Sequence, residues 1–181
     1  MTRLLSFTSV LALLAASASA ADINFNRVSS FATPLNMAAG EDQNRETSSE
    51  IIAATEDGMR LVYTDSPLGV VGIVDISNAR EPKPLGNVEL GGEPTSVTII
   101  GSSAFVAVNT SKDYVAVGGK LVTVDLDTKA VTAECDLGGQ PDSIAKAKDA
   151  SFLVIAIENE RDEDFNDGRA GGDDRRQERR C

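Results

Sequence analysis

The chain has 181 residues and a formal net charge of −11, so it is long enough to bury a core and acidic enough to repel phosphate backbones. We therefore expect no nucleic acid partner. Histidine is absent, which excludes the usual Ser-His-Asp and Cys-His catalytic sites and also His-ligated zinc.

The first residues have the pattern of a secretory signal peptide, which we predict to span residues 1–20. Arg3 supplies the positive charge, the apolar run Leu4–Ala16 is short for a bilayer span, and small residues precede the expected cleavage between Ala20 and Ala21. The mature chain then has no membrane span, and the predicted location is periplasmic or extracellular.

Residues 21–49 are predicted to form an N-terminal extended segment, and residues 50–168 a partial β-propeller. Within the latter, short runs rich in Val and Ile are bounded by Gly, Asp, Pro or Ser, which is the pattern of strands joined by hairpin turns. No helical period interrupts these runs.

An eight-residue phrase occurs twice in this region and reveals a repeat. LGGEPTSV at Leu90–Val97 and LGGQPDSI at Leu137–Ile144 start 47 residues apart (137 − 90), and a divergent copy places Ile51 46 residues before Val97 (97 − 51). Four short strands at this spacing are typical of a β-propeller blade. The prediction is an all-β fold, an incomplete β-propeller of about two and a half four-stranded blades at residues 50–90, 95–137 and 142–164.

The phrase is expected to build the crossover from one blade to the next. Its glycines let the chain bend, its proline stiffens the start of the innermost strand, and its serine fits where blades crowd the axis. The residues concerned are Gly91, Gly92, Pro94 and Ser96 in one copy and Gly138, Gly139, Pro141 and Ser143 in the other.

Several single residues outside the phrase are expected to have structural roles. Asp65 is expected to start a turn, and Asp75 and Asp125 end equivalent strands and should repeat one blade-stabilising contact. Cys135 is expected to be a small buried side chain, with a disulfide to Cys181 as the alternative. No catalytic residue is assigned, because the serines of the phrase have no histidine or suitably placed lysine to activate them.

The candidate metal site is the acidic segment at residues 158–167, which follows the second strand of the third repeat. Calcium takes six to eight oxygen ligands, and the segment offers oxygen atoms on Glu158, Glu160, Asp162, Asp164, Asn166 and Asp167. Asp162, Asp164 and Asn166 stand at alternate positions, as the first ligands of an EF-hand loop do. The glycine is one position late, however, and no glutamate follows at the required distance. A calcium site and a solvated acidic loop both remain open.

Residues 169–181 are predicted to be a disordered Arg-rich tail. They hold five Arg and three acidic residues, whereas residues 21–168 carry a charge near −14 (−11 − 1 for Arg3 − 2 for the tail). Out-of-frame translation, a native disordered tail and a basic tail that binds acidic partners are the three interpretations. Because propellers close with four to eight blades, the chain is expected either to assemble or to be a piece of a longer protein.

Several stretches carry a resemblance to a known family: TSSEIIAATEDGMRLVYTDSPLGVVGIVDIS, GGEPTSV, KLVTVDL, CDLGGQPDSIA and IAIENERDED. They resemble secreted bacterial β-propellers of the YVTN class with WD40-like repeats, and more narrowly the choice-of-anchor I group. Members of that group are often labelled alkaline phosphatase-like or phytase-esterase-like, and animal mesenchyme-specific cell-surface glycoproteins are similar. The resemblance covers about Phe25 to Gly168 and implies a propeller fold.

The expected function is that of an exported β-propeller binding or scaffold protein without catalytic activity of its own. Its partner would be a protein or a small molecule bound at the propeller rim, and calcium is the one candidate cofactor. The alternative, implied by the resemblance, is the N-terminal part of a metal-dependent secreted phosphoesterase of alkaline phosphatase or phytase type.

Overall fold

A computed structural model of the chain describes residues 25–162 and residue 164. These residues form ten strands and one turn of 3₁₀ helix at Thr33–Asn36. The predicted signal peptide with its Ala20–Ala21 cleavage site and the tail at residues 169–181 lie outside the described residues. The strands are β1 (Ser49–Ala54), β2 (Arg60–Asp65), β3 (Val70–Asp75), β4 (Lys83–Glu89), β5 (Glu93–Ile100), β6 (Ser103–Asn109), β7 (Gly119–Asp125), β8 (Ala130–Asp136), β9 (Pro141–Lys146) and β10 (Leu153–Ile157).

The strands form three antiparallel sheets, which we call blades one, two and three. Blade one has the order β1-β2-β3-β4, blade two has β5-β6-β7-β8, and blade three pairs β9 with β10. Consecutive strands are neighbours throughout, as in a propeller blade. The predicted all-β, incomplete β-propeller is confirmed.

Blades one and two share details of strand pairing. In each, the pairing of the third and fourth strands is shifted by a bulge, between Ile73 and Val74 in blade one and between Thr123 and Val124 in blade two. A bulge strengthens local twist, so the two blades twist at the same point and their residues can be matched position by position.

A continuous apolar core joins blades one and two. Side chains alternate between the two faces of a strand, and one face of blade one packs on one face of blade two. The strongest contributors are fully buried valine and isoleucine side chains, each worth about 1.5–3 kcal/mol: Val62, Val71, Ile73, Val106, Val108, Val122 and Val124.

The opposite face of blade one is covered by the N-terminal segment. Pro34 lies in the first turn of its 3₁₀ helix, where a fixed φ favours the helical start. Asn36 is buried there: its amide nitrogen donates to the Tyr63 hydroxyl at 3.0 Å, and its oxygen accepts from the Gly86 backbone N–H at 3.0 Å. The segment predicted as extended therefore contains a short helical turn that is fastened to β2 and β4.

Asp65 provides a second attachment of the same segment. Its carboxylate is fully buried and accepts from the Thr47 hydroxyl, from the Ser48 N–H at 3.1 Å and from the Leu68 N–H at 3.4 Å. The bond to Leu68 is the expected turn contact. Asp65 pairs with Val70 as Val108 pairs with Lys120 in blade two, so Asp65 and Val108 hold equivalent positions. The bonds to Thr47 and Ser48 explain why this position is a carboxylate in blade one.

Blade three packs on blade two through β9. The Lys146 ammonium donates to the Ile99 carbonyl at 2.8 Å, and the Ile144 N–H donates to the Ser96 hydroxyl at 3.1 Å. Its outward side leaves Phe152 60% and Val154 55% exposed.

Candidate functional site

The two copies of the repeated phrase lie at equivalent blade crossovers. The first glycine of each pair, Gly91 or Gly138, has a positive φ of 66° or 69°, which favours glycine because the residue lacks a Cβ. Pro94 and Pro141 are fully buried at the start of the innermost strand that follows. Each crossover therefore contains a sharp turn, and the proline that follows it packs in the interior at the start of the next blade.

The second glycine of each pair is required by close packing. A Cβ on Gly92 would lie 2.6 Å from the Asn109 carbonyl oxygen and 2.8 Å from Val108 Cγ1. A Cβ on Gly139 would lie 2.7 Å from Asn159 Oδ1 and 2.7 Å from Ile157 Cγ2. All four distances are shorter than real Cβ contacts, so each crossover lies directly against the end of the second strand of the blade that follows it.

The two serines of the phrase have different surroundings. Ser96 is buried and its hydroxyl accepts the hydrogen bond from Ile144, whereas Ser143 is exposed. The Ser96 hydroxyl links blade two to blade three.

Gln140, one of the three residues in which the second phrase differs from the first, fixes the start of the acidic segment. Its backbone N–H donates to Asn159 Oδ1 at 2.9 Å, and its carbonyl accepts from the Glu158 N–H at 3.0 Å. Its side chain accepts from the Glu160 N–H at 3.1 Å and donates to the Glu160 carboxylate at 3.2 Å. Sequence reasoning identified its neighbours Gly139 and Pro141 but missed Gln140, because blade two carries glutamate at the same place, Glu93.

The predicted calcium ligands are only partly described. Glu158 and Glu160 are exposed, and Asp162 Oδ1 accepts from the Asp164 N–H at 2.9 Å. Among the described residues, no group of three or more acidic or cysteine side chains is close enough to hold a metal ion. Asn166 and Asp167 lie outside the described part of the chain, so calcium binding here stays a prediction.

Asp75 and Asp125 occupy equivalent turns at the ends of the third strands. Asp125 Oδ1 accepts from the Thr128 N–H at 2.7 Å and the Thr128 hydroxyl at 2.8 Å, and Asp75 Oδ1 accepts from the Ser77 N–H at 2.8 Å. These hydrogen bonds to Thr128 and Ser77 lower the pKa of both carboxyls below the usual 3.8, because they favour the ionised form. Asp125 Oδ1 also accepts from the Asp127 N–H at 3.1 Å, two residues on, which is the contact that Asp75 makes with Ser77.

Two long cationic side chains join the outer parts of blades one and two. Arg60 Nη1 donates to the Leu126 carbonyl at 2.8 Å and to the Asp127 carboxylate at 2.9 Å. In the opposite direction, Lys129 Nζ donates to the Leu85 carbonyl at 2.9 Å. These contacts were not predicted, because a sequence does not show which turns of neighbouring blades meet.

The expectation that Cys135 is a buried apolar side chain is wrong. It lies in β8, the outer strand of blade two, where it is partly exposed, and its sulfur is disulfide-bonded. Cys181, the other cysteine of the sequence, lies outside the described residues. An outer strand has one side open to solvent, which explains why apolar character did not lead to burial.

The model of one protein family, the choice-of-anchor I domain, matches residues 50–172, which is 123 of the 181 residues. The chain belongs to the choice-of-anchor I family. This membership and the propeller-like fold indicate a scaffold domain of a surface or secreted protein. No curated protein matches the chain significantly.

One solved structure supports the fold, at low sequence identity. The chain is similar to hydrazine synthase from Kuenenia stuttgartiensis at 19% identity and a TM-score of 0.52, covering 61% of this chain and 30% of that one. A functionally unknown protein from Desulfotomaculum acetoxidans DSM 771 is similar at 12% identity and a TM-score of 0.46, covering 57% and 31%. The chain thus spans less than a third of the length of each protein.

Within the described part of the chain, no helix is long and apolar enough to cross a membrane.

Proposed function

We propose that the chain is an exported β-propeller scaffold that binds a protein or small-molecule ligand at the rim of its blades and has no catalytic activity of its own. The strongest support is that the repeated residues have structural contacts that account for their presence. The crossover glycines and prolines and the paired aspartates all have local packing or turn contacts, and Ser96 uses its hydroxyl to join two blades.

The variable part of the second crossover supports a binding role at the rim. Gln140 makes four hydrogen bonds to residues 158–160 and so holds the beginning of the acidic segment against the blade. A preorganised start lowers the entropy that ligand binding would cost. We propose that Glu158, Glu160, Asp162, Asp164, Asn166 and Asp167 supply oxygen ligands to a calcium ion, which would order this segment for a partner.

Calcium titration of the purified chain tests the rim proposal. We expect one calcium ion per chain by isothermal titration calorimetry, and Asp162→Asn combined with Asp164→Asn should weaken binding by about tenfold or more, because ligand charge sets calcium affinity. Glu81→Gln is the matched control, since Glu81 is an exposed acid in the loop before β4. Absence of stoichiometric binding, or equal losses in both variants, would remove the calcium site and leave a solvated acidic loop.

The second candidate function is the N-terminal part of a metal-dependent phosphoesterase of alkaline phosphatase or phytase type. The same acidic segment favours it, because such enzymes hold metal ions with carboxylates. Calcium-dependent hydrolysis of p-nitrophenyl phosphate that is lost in the Asp162→Asn variant would support the enzyme. Calcium binding without hydrolysis would support the scaffold.

The proposed division of the chain has its own test. We propose a signal peptide at residues 1–20, an N-terminal segment at 21–49, the propeller region at 50–168 and a disordered tail at 169–181. Mass spectrometry of the exported product should give a mature chain that begins at Ala21, and cell fractionation should recover it from the periplasm or the medium. A product that retains Arg3 would contradict the signal peptide.

A further inference from the structure

A cavity of about 410 Å³ lies between the N-terminal segment and blade one, away from the acidic segment. Its volume is within the range of small-molecule sites. Part of its wall is apolar and is formed by Leu35, Leu68 and Val70. Leu35 is 54% exposed, so the cavity is open to solvent on the side of the N-terminal segment.

The polar part of the wall is rich in hydrogen-bond acceptors. Glu41, Asn87 and Glu89 line it, and Arg45 is the one cationic residue among the lining residues. The Glu41 carboxylate already accepts from the Ala38 N–H at 2.7 Å. The Arg45 charge is partly balanced by Asp42, whose pKa it helps to lower after the larger effect of the hydrogen bonds from Asn44.

One of these acceptors has no partner. Asn87 Oδ1 is buried and, within the described part of the chain, receives no hydrogen bond. An unpaired buried acceptor is unfavourable by about 1–3 kcal/mol. Asn87 as a whole is only partly buried, and it is one of the residues that line the cavity.

Blade two has an ion pair at the positions that match Val70 and Asn87 of blade one. The matched bulges align Val70 with Lys120 and Asn87 with Glu134, because Val70 pairs with Glu89 as Lys120 pairs with Asp136. In blade two the Lys120 ammonium meets the Glu134 carboxylate at 2.8 Å. In blade one the lysine is replaced by valine, while the acceptors of the fourth strand remain.

We propose that this cavity binds an alkylammonium group supplied from outside the chain. The ammonium donates to the Asn87 oxygen and to the Glu89 carboxylate, in the place that Lys120 fills in blade two. The apolar stem of the ligand lies along Leu68 and Val70. The same chemistry is offered by a free amine and by a lysine side chain of another protein.

Titrations followed by ¹⁵N-¹H NMR on the whole chain distinguish these sources. The probes are 1,5-diaminopentane and Nα-acetyl-lysine methylamide, and Nα-acetyl-norleucine methylamide is the matched neutral control. We expect saturable shifts at the N–H signals of Leu68, Val70 and Asn87 with an ammonium probe and none with the control. Saturation by the diamine alone identifies a free amine, and saturation by the lysine derivative identifies a side chain.

Substitutions then test the named acceptors. Asn87→Leu and Glu89→Gln should each weaken binding of the ammonium probe by about tenfold or more, and Asn87→Asp should strengthen it. Glu134→Gln, a change at the position of blade two that matches Asn87, should leave it unchanged. The proposal is overturned if no ammonium probe saturates these signals, if the norleucine control binds equally well, or if Glu89→Gln and Asn87→Asp leave the affinity unchanged in a folded chain.

Discussion

Asn36 attaches the N-terminal segment to blade one through hydrogen bonds to two of its strands. The substitution Asn36→Ala tests that attachment. The substitution removes the acceptor of the Gly86 N–H and the donor to the Tyr63 hydroxyl. Each buried group left unsatisfied costs about 1–3 kcal/mol. Gly86 is only partly buried, so water can replace its lost partner, and we expect a total loss of about 2–3 kcal/mol in the free energy of unfolding.

A double-mutant cycle isolates the contact between Asn36 and Tyr63. Tyr63→Phe alone leaves the Asn36 amide without its acceptor and should cost about 1–2 kcal/mol. In the Asn36→Ala background the same change removes a hydroxyl that has already lost its partner. The double variant should therefore cost about 1 kcal/mol less than the sum of the single variants.

Urea unfolding followed by far-ultraviolet circular dichroism measures these free energies. Asn44→Ala is the matched control, because the Asn44 side chain is exposed and donates only to its neighbour Asp42; its effect should stay within about 0.5 kcal/mol. Additivity of the two substitutions to within about 0.3 kcal/mol would refute the direct coupling. A loss for Asn36→Ala no larger than that of the control would refute the attachment itself.

Three further predictions concern the blades. Gly92→Ala should lower stability by about 1–3 kcal/mol and by more than Gly139→Ala, because the added methyl meets a backbone oxygen at Gly92 but side-chain atoms at Gly139; equal urea midpoints would contradict this. Arg60→Met should lower the free energy of unfolding by about 0.5–1.5 kcal/mol at low salt. The part of this loss that disappears at high salt is due to the ion pair with Asp127, and an unchanged urea midpoint would contradict the inter-blade contact. Because the folded-state pKa of Asp125 is lowered, its stabilisation is present above the ordinary value of 3.8 and is lost as the pH falls below it. Asp125→Asn should therefore destabilise at pH 7 and have little effect at pH 2.5 in thermal unfolding scans, and an equal effect at both pH values would argue against this origin.

The blades could be predicted from the sequence because their determinants are local and repeated. Alternating Val and Ile specify half-buried strands, and the phrase around Gly92 and Gly139 marks a turn that only glycine can form without a clash. Asp75 and Asp125 were matched correctly because each is the last residue of the third strand of its blade. In these cases the sequence neighbours of a residue are also its structural partners.

The contacts between distant parts of the chain could not be predicted in this way. Asn36 and Tyr63 are 27 residues apart, and Arg60 and Asp127 are 67 apart. Each of these residues has an ordinary sequence context, and only the packing of the N-terminal segment and the meeting of two turns give it a role. The cavity at Asn87 was missed for the same reason, since its lining comes from segments that the sequence does not relate.

The N-terminal segment covers the face of blade one that corresponds to the face by which blade two packs on blade one. In blade two that face carries Val106 and Val122, which fit against another sheet. In blade one the matched residues are Tyr63 and Gly72, and the Tyr63 ring occupies the space that a side chain on Gly72 would need. The ring thereby reaches Asn36 of the segment. This face is thus adapted to a polar, irregular chain segment. The cavity beside Asn87 lies between this segment and blade one. Because a side chain on Gly72 would displace the Tyr63 ring, Gly72→Val should disturb both the attachment of the segment and the cavity.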